Sequence, residues 1–427
     1  MLQLREFDAS QTWLNTRLTH MSRPKVVVLG AGFGGLTAAK ALDSIADVTL
    51  VDRHNFQTFL PLLYQVSTAG LAADHIAHPI RGALRKTKIK FRMGSPITID
   101  HKNKSVKLDS SEVLEFDYLV VALGSATNDF GVKGVAEHAL GMKSVSEALE
   151  IRSSILRRFE DLCRFEDDTK LSITVVGGGP TGVEMAGAIA ELKKGPLKSD
   201  FASAAKNITV NLVEAGPRLL PSFSPLLSNR TMKDLAKLDV NVFVNTSVKE
   251  VKPREIILGD KSKLASEVTI WAAGVTGEPV MKKLNLPIEN GRIAVDETLQ
   301  VTNYPHIFAI GDISGAKGKD GRFLPMVAPV AMQQGRHLKT QISNLIANKP
   351  LLPFKYRDKG SMATIGRHKA VVEVGPLKLA GIPAWYAWLW LHLFYLLGGR
   401  NKIGTMADWT WNYLTFDRGN RHIMDIN

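Results

Sequence analysis

Two clusters of glycine, each followed by an acid, carry the chemistry this sequence could do. In the first, Gly30, Gly32 and Gly35 stand in the run Gly30-Ala31-Gly32-Phe33-Gly34-Gly35, and Asp52 follows about twenty residues on. In the second, Gly177, Gly179 and Gly182 stand in Gly177-Gly178-Gly179-Pro180-Thr181-Gly182, and Glu214 follows. The first glycine of such a set permits a tight turn, the second lets backbone approach a pyrophosphate, and the third lets helix and strand pack closely. A helix starting at the turn offers free N–H groups and a partial positive charge to phosphates. The acid would accept hydrogen bonds from ribose hydroxyls. The chemistry implied is the holding of two dinucleotides. An acid at the second strand end also repels a 2′-phosphate, which favours NADH over NADPH, although nearby Arg218 softens that preference.

These residues need a strand before each turn and a helix after it. Residues 25–29 (KVVVL) read as a buried strand, 36–42 as a helix, and 48–51 as a second strand ending in Asp52. The pattern repeats: strand 171–176, helix 183–194, strand 208–213 ending in Glu214. The gap to Glu214 is longer than usual, and a loop over 195–206 accounts for the excess. Each unit is followed by a further buried strand running into a glycine, YLVVALG at 118–124 and VTIWAAG at 268–274, so Gly274 joins the second site. Strands are also expected at 97–100 and 105–108. The predicted class is α/β, with two Rossmann-like domains.

Composition narrows the function. The formal charge is +13, compatible with anionic ligands or lipid, and no zinc-finger spacing or RNA-binding aromatic signature points to nucleic acid. No metal-ligand cluster is expected. There is one cysteine, Cys163, so neither an intrachain disulfide nor a CxxC pair can form. That excludes any electron relay through a protein dithiol and leaves Cys163 as a structural or surface thiol. Residues 1–20 are polar, with Glu6 and Asp8, and look like neither a signal nor a transit peptide; Met21, just before the first strand, is an alternative native start. The longest apolar run, 382–397, would span about 24 Å as a helix, short of a bilayer core of about 30 Å.

Which turn takes which ligand follows from resemblance. The run TNYPHIFAIGD at 302–312 resembles the second flavin-binding motif of two-dinucleotide flavoproteins. That likeness implies FAD at the first turn, with Gly311 and Asp312 at its ribityl chain, and NADH at the second. Residues 55–80, 177–192, 213–221, 360–371 and the Trp-rich tail 384–411 are similar to type II NADH dehydrogenases, the single-subunit, non-proton-pumping NADH:quinone oxidoreductases. The resemblance runs from about residue 23 to the C-terminus. It implies hydride transfer from NADH to FAD and then two-electron transfer to a membrane quinone, ubiquinone or menaquinone. It places Gly32, Phe33, Gly34, Asp52 and Arg53 at FAD, and Ala331 and Met332 along the flavin. It gives Glu184 a role in hydride transfer or in proton supply to quinone; otherwise Glu184 is an acid favoured by a helix N-terminus. The family's Ala-Gln-x-x-x-Gln quinone motif reads Ala328-Pro329-Val330-Ala331-Met332-Gln333 here: Gln333 matches, and Pro329 replaces the first glutamine.

The domain boundaries expected are an N-terminal extension 1–22, an FAD-binding domain over 23–143 and 280–350 split around an NADH-binding domain 144–279, and an amphipathic membrane-anchoring or dimerisation region 351–427. Most of the tryptophans lie in that last region: Trp385, Trp388 and Trp390 share a helix with His392 and Tyr395, and Trp409 and Trp411 follow Arg400 and Lys402. Arg418 and Arg421 come next. Interfacial aromatics beside basic residues suggest helices lying on a membrane. The expected location is peripheral, on the cytoplasmic side of the inner membrane, with a homodimer sharing that face and His392 at the interface. A soluble diaphorase or ferredoxin-type reductase on the same fold is the alternative, as is a redox sensor that binds both dinucleotides without turnover.

Overall fold

A computed structural model of the chain describes residues 23–164, 170–201 and 204–424. The extension 1–22 and the choice between Met1 and Met21 lie outside the described residues. Two compact units emerge. The first takes the chain up to Arg53, then Lys86–Leu123 and Val280–Lys355; the second takes His54–Arg85, Gly124–Pro279 and Tyr356 onward.

The elements that position the turns run in chain order. They are β1 (Lys25–Leu29), α1 (Phe33–Leu42), β2 (Asp47–Asp52), β3 (Lys90–Met93), β4 (Tyr118–Val121), β5 (Ala139–Leu140), α2 (Val145–Arg164), β6 (Leu171–Val176), α3 (Pro180–Lys194), β7 (Ile208–Val213), β8 (Val240–Phe243), β9 (Val268–Trp271), β10 (Gln300–Val301), β11 (Tyr304–Ala309), α4 (Ala328–Ile346), β12 (Ser361–Gly366), β13 (Lys369–Val374), β14 (Leu377–Ala380), α5 (Ile382–Tyr395) and α6 (Gly399–Thr415).

In the first unit the sheet order is β10-β11-β4-β1-β2-β3. All neighbours are parallel except β10 with β11. β1 reads as a continuous apolar run because both faces are covered, and Val26, Val28 and Leu29 are fully buried. In the second unit the order is β5-β9-β6-β7-β8, all parallel. Each unit adds a three-stranded antiparallel meander, Pro96–Asp100, Ser105–Leu108 and Val113–Glu115 in one, and Val248–Lys252, Glu255–Leu258 and Lys263–Ala265 in the other. The duplication seen in the glycines thus extends to the topology.

Two expectations change in detail. Both fingerprint helices start earlier than the apolar periodicity suggests, at Phe33 and Pro180, because the turn glycines already lie in their first turns. The stretch expected as a loop after Gly195 holds a short helix, Pro196–Asp200, and a 3₁₀ turn, Ala204–Asn207. The C-terminal part folds as an antiparallel sheet, β12-β13-β14, followed by α5 and α6. Ala370, Val372, Ala384 and Trp385 form a small core there. Among the described residues no helix is long and apolar enough to cross a membrane.

Candidate active site

The two Gly-rich turns share one backbone hydrogen bond and the same glycine contacts. Gly30 N–H donates to the Val51 carbonyl at 2.7 Å, and Gly177 N–H to the Val213 carbonyl at 2.7 Å. Both first glycines have positive φ, +100° and +113°. The third glycine of each set sits on the carbonyl of the first: a β-carbon would come within 1.8 Å of Gly30 O at Gly35, and within 1.8 Å of Gly177 O at Gly182. By contrast, a β-carbon on Gly32 or Gly179 would meet nothing within 4 Å. These middle glycines therefore face open space at the N-termini of α1 and α3, whose first N–H groups carry no side-chain cap. An uncapped helix start with an open backbone in front of it is a cradle for a phosphate.

The acids close each cradle. Asp52 accepts the Ala31 N–H at 2.6 Å. Glu214 accepts the Gly178 N–H at 2.5 Å with one oxygen and the Gly216 N–H at 2.5 Å with the other. Each carboxylate thus ties the turn to the neighbouring strand end, where a ribose would lie. At Gly178 a β-carbon would meet Glu214 and Leu219 within 2.9 Å, so the second turn needs a glycine where the first accepts Ala31. Arg218 does not face the ribose position freely, because its guanidinium donates to the Phe223 carbonyl at 2.5 Å and the Pro221 carbonyl at 2.6 Å. Phe33 is half-buried at the start of α1, and Arg53 is exposed at the end of β2.

In the first unit, α4 brings a further group to α1. Gly34 and Gly311 lie against Ala331, each with its β-carbon position about 3.5 Å from the Ala331 methyl, while Gly335 approaches Gly34 O so closely that a β-carbon would stand 2.7 Å away. Gly311, at φ +75°, starts the 3₁₀ turn that presents Asp312. The Gly311 N–H donates to Gln334 Oε1 at 2.7 Å. Gln334 is buried, and the sequence offers no sign of this role beyond the mid-helix glycine beside it. Met332 and Gln333 are half-buried on the second turn of α4. Pro329 stands in the first turn, where a missing N–H costs nothing. The open backbone at Gly32, the acid at Asp52 and the Gly311-Asp312 turn together fit an FAD molecule.

In the second unit the decisive group is Glu184, on the second turn of α3. Its carboxyl is buried, and burial pushes it up to about 8, against the weaker opposing pull of the Thr364 N–H and the Trp388 indole. Thr364 N–H donates to Glu184 Oε1 at 3.3 Å. Burial, not the helix dipole, governs this acid, and near neutral pH it holds a proton. Around it lie aromatic side chains. Tyr64 meets Trp388 edge-on, Gln65 Nε2 donates to Tyr64 OH at 2.8 Å, and Trp409 Nε1 donates to Gln65 Oε1 at 2.7 Å. His392 stacks on Trp388 with centroids 3.9 Å apart, and its Nδ1 lies 2.7 Å from the Trp388 carbonyl. Burial lowers His392 to about 4, so it is neutral.

The same face of α3 is held against β12. A β-carbon on Gly187 would come within 1.9 Å of Ile365 O, so only glycine lets the strand approach. One turn on, Glu191 accepts the Arg367 N–H and pairs with Arg418 at 3.2 Å. Arg418 also donates to the Thr68 carbonyl at 2.9 Å and the Ala188 carbonyl at 3.1 Å. Arg421 pairs with Asp200 at 2.7 Å. These two arginines, expected to face lipid head groups, are turned inward. Trp385, Trp388 and Trp409 are buried as well, and only Trp390 and Trp411 of the tail's tryptophans are exposed. Among the described residues no group of His, Cys, Asp and Glu is placed to hold a metal ion, and Cys163 is exposed at the end of α2.

Comparison with known proteins fits this geometry. Residues 24–335 match the pyridine nucleotide-disulphide oxidoreductase family. The chain is 38% identical to the type II NADH:quinone oxidoreductase NdhA of Mycobacterium tuberculosis, covering 93% of this chain and 88% of that one. It is 31% identical to a type II NADH:quinone oxidoreductase of Staphylococcus aureus, covering 84% and 92%. The chain belongs to the type II NADH:quinone oxidoreductase family. Solved structures agree on the fold of this family member. NDH2 from Plasmodium falciparum, in complex with NADH, superposes with a TM-score of 0.86 over 94% of this chain and 100% of that chain, at 23% identity. A sulfide:quinone oxidoreductase from Aquifex aeolicus gives 0.72 over 92% and 95%, at 19% identity.

Proposed function

We propose that this chain oxidises NADH and passes the two electrons through FAD to a membrane quinone, ubiquinone or menaquinone, without pumping protons. The observation that carries the reading is the pair of acid-tied, open-fronted turns, one on each sheet, in a chain with a single cysteine. Two dinucleotide cradles without a dithiol support direct transfer between the two ligands. Bound FAD supplies the two-electron relay.

The chain's own residues then have distinct tasks. Gly30, Gly32, Phe33, Gly34 and Gly35 hold the FAD pyrophosphate on α1; Asp52 and Arg53 hold its ribose side; Gly311, Asp312, Ala331 and Met332 hold its isoalloxazine half. Gly177, Gly179 and Gly182 hold NADH on α3, Glu214 takes its adenosine ribose, and Gly274 lines its other half. A carboxylate there disfavours a 2′-phosphate, and the tethered Arg218 is not placed to offset it. Glu184, protonated at neutral pH, is the proton source for the reduced quinone, and Gln333 is its polar contact. A local proton source of this kind needs no route across a bilayer.

The membrane reading rests on exposed apolar side chains. Ile382, Tyr386, Trp390 and Phe394 recur every fourth residue along α5, and Trp390 is 67% exposed. Ile403, Met406, Trp411 and Leu414 are exposed on α6, with Arg400 and Lys402 at its start. Exposed apolar side chains on both helices, flanked by cations, fit the interfacial layer of an anionic membrane. We place it peripherally on the cytoplasmic side of the inner membrane, with a homodimer joining two weak anchors.

The test is direct. Purified protein should be yellow, NADH should bleach it, and a short-chain quinone should restore the colour. Protein that binds flavin but is bleached without being reoxidised by quinone would favour the diaphorase alternative.

A further inference from the structure

One aromatic side chain near the second turn is placed in a way that stability does not explain. Phe130 is 63% exposed, and its φ is +53°, in the left-handed region where a bulky side chain is strained. The loop around it enforces this conformation. Asn128 Oδ1 accepts the Phe130 N–H at 2.9 Å, and Asp129 Oδ1 accepts the Gly131 N–H at 2.9 Å. Asn128 is itself pinned on both sides: its N–H donates to the Gly274 carbonyl at 3.1 Å, and its carbonyl accepts the Trp271 indole N–H at 2.8 Å. The outcome is that the ring of Phe130 lies against Gly274, where a β-carbon would stand 2.5 Å from the ring. Gly274 is thus the residue that leaves room for the ring.

The sheet order says which part of a ligand this ring would meet. β7 ends in Glu214, the ribose acid; its neighbour β6 ends in the pyrophosphate turn; and the next neighbour, β9, runs on through Ala272 and Ala273 to Gly274. Gly177 lies directly against Ala272 and Ala273. Ligands of doubly wound sheets lie across the carboxyl ends of the strands. A dinucleotide with its adenosine ribose at β7 and its pyrophosphate at β6 therefore carries its other half over β9. We propose that Phe130 is a binding residue for the nicotinamide half of NADH, a pre-set aromatic platform at the end of β9. This rests on the NADH reading given above. A planar ring held in place by a pinned loop offers a stacking face without losing freedom on binding, and backbone strain retained at such a point is characteristic of ligand contacts.

The experiment uses the flavin-loaded enzyme and the variants Phe130→Leu, Phe130→Ala and Phe130→Gly. Single-turnover bleaching at a series of NADH concentrations gives the dissociation constant and the reduction rate. Loss of the ring should raise the NADH dissociation constant roughly three- to tenfold, the range an aromatic stacking contact carries. Reoxidation by a short-chain quinone should not change. ADP-ribose, which lacks the nicotinamide, should inhibit wild type and Phe130→Ala equally. Phe130→Gly relieves the positive φ, so it should melt no lower than wild type while still binding NADH more weakly. Unchanged NADH binding in the Ala and Gly variants would overturn the proposal, as would an equal loss of ADP-ribose affinity. If NADH fails to bleach even the wild-type flavin, the NADH reading itself falls and this inference with it.

Discussion

Replacing Glu184 with Gln tests the buried acid through the dependence of stability on pH. The unfolded chain ionises this side chain near its ordinary 4.5, and the folded chain holds the proton up to about 8. Below the lower value both states are protonated and Glu184 adds no pH dependence. Between the two values the folded state binds the proton and the unfolded state does not, so stability falls as pH rises, and it levels off above the higher value. At about 1.4 kcal/mol for each pH unit, the deficit is roughly 3 kcal/mol at pH 7 and 4–5 kcal/mol above pH 8. Glutamine keeps the shape and can still accept the Thr364 N–H, but it cannot ionise. The variant should therefore be more stable than wild type, by a margin that grows from about pH 5 to pH 8 and then stays constant. Urea midpoints of both proteins at equal flavin loading, compared at pH 5, 7 and 9, read this directly. A margin independent of pH, or one that grows toward acid, would refute the assignment of a buried, protonated carboxyl. In turnover, wild-type quinone reduction should fall above pH 8 as the proton is lost. Below pH 8 Glu184→Gln should be slower by about a hundredfold or more, as expected where a general acid is removed, and because it lacks that fall the gap should narrow above pH 8.

Gly182→Ala should abolish flavin bleaching by NADH while leaving the protein yellow, because the new methyl would strike Gly177 O; Gly35→Ala should instead yield colourless protein, and absorbance after gel filtration separates the two. Gln334→Leu strands the Gly311 N–H, a loss of about 1–3 kcal/mol, and should weaken FAD retention about tenfold or more in a dilution assay. Arg418→Met leaves Glu191 without its ion-pair partner and removes the donors to the Thr68 and Ala188 carbonyls; with about 1–3 kcal/mol lost, the C-terminal segment should become susceptible to protease before the rest. Trp390→Glu with Phe394→Glu should stop the protein pelleting with anionic vesicles, yet leave NADH oxidation by a water-soluble quinone intact, since both side chains are exposed.

What the sequence makes legible is what is local. Each turn, its strand and its acid lie within a few dozen residues, and glycine spacing encodes the conformation directly, so both cradles are readable from the order of residues alone. The environment of Glu184 is not. Its proton is held by burial, against the weaker pull of Thr364, 180 residues away, and of Trp388, farther still. Gly187 looks like an indifferent helix residue until Ile365 O is found against it. Gln334 carries no pattern of its own beyond the glycine beside it, because a buried glutamine and an exposed one look identical in a helix. Two basic residues of the tail misled for the same reason: charge near aromatics suggests a head-group contact, yet Arg418 and Arg421 are matched to Glu191 and Asp200, acids more than two hundred residues earlier in the chain.

Comparing the two copies of the fold explains why the tail is needed. Counting from the turn glycines, Glu184, Gly187 and Glu191 correspond to Thr37, Lys40 and Ser44 in the first unit, and α1 stops at Leu42 before the third of these is reached. The first copy packs its fingerprint helix against α4, with Gly335 seated on Gly34 O. The second copy packs its helix against β12, with Gly187 under Ile365 O. In both, a glycine lets a segment from far along the chain lie directly on the helix that holds a dinucleotide. Only in the second does the crossing segment also bury an acid. Chain beyond β12 then completes the enclosure, through Trp388 of α5 and through Arg418, which fastens Glu191 at the far end of the same helix face. The C-terminal region is therefore part of the machinery that keeps Glu184 protonated. Removing it to test membrane binding would change the acid as well, and substitutions on its exposed face are the ones that separate the two roles.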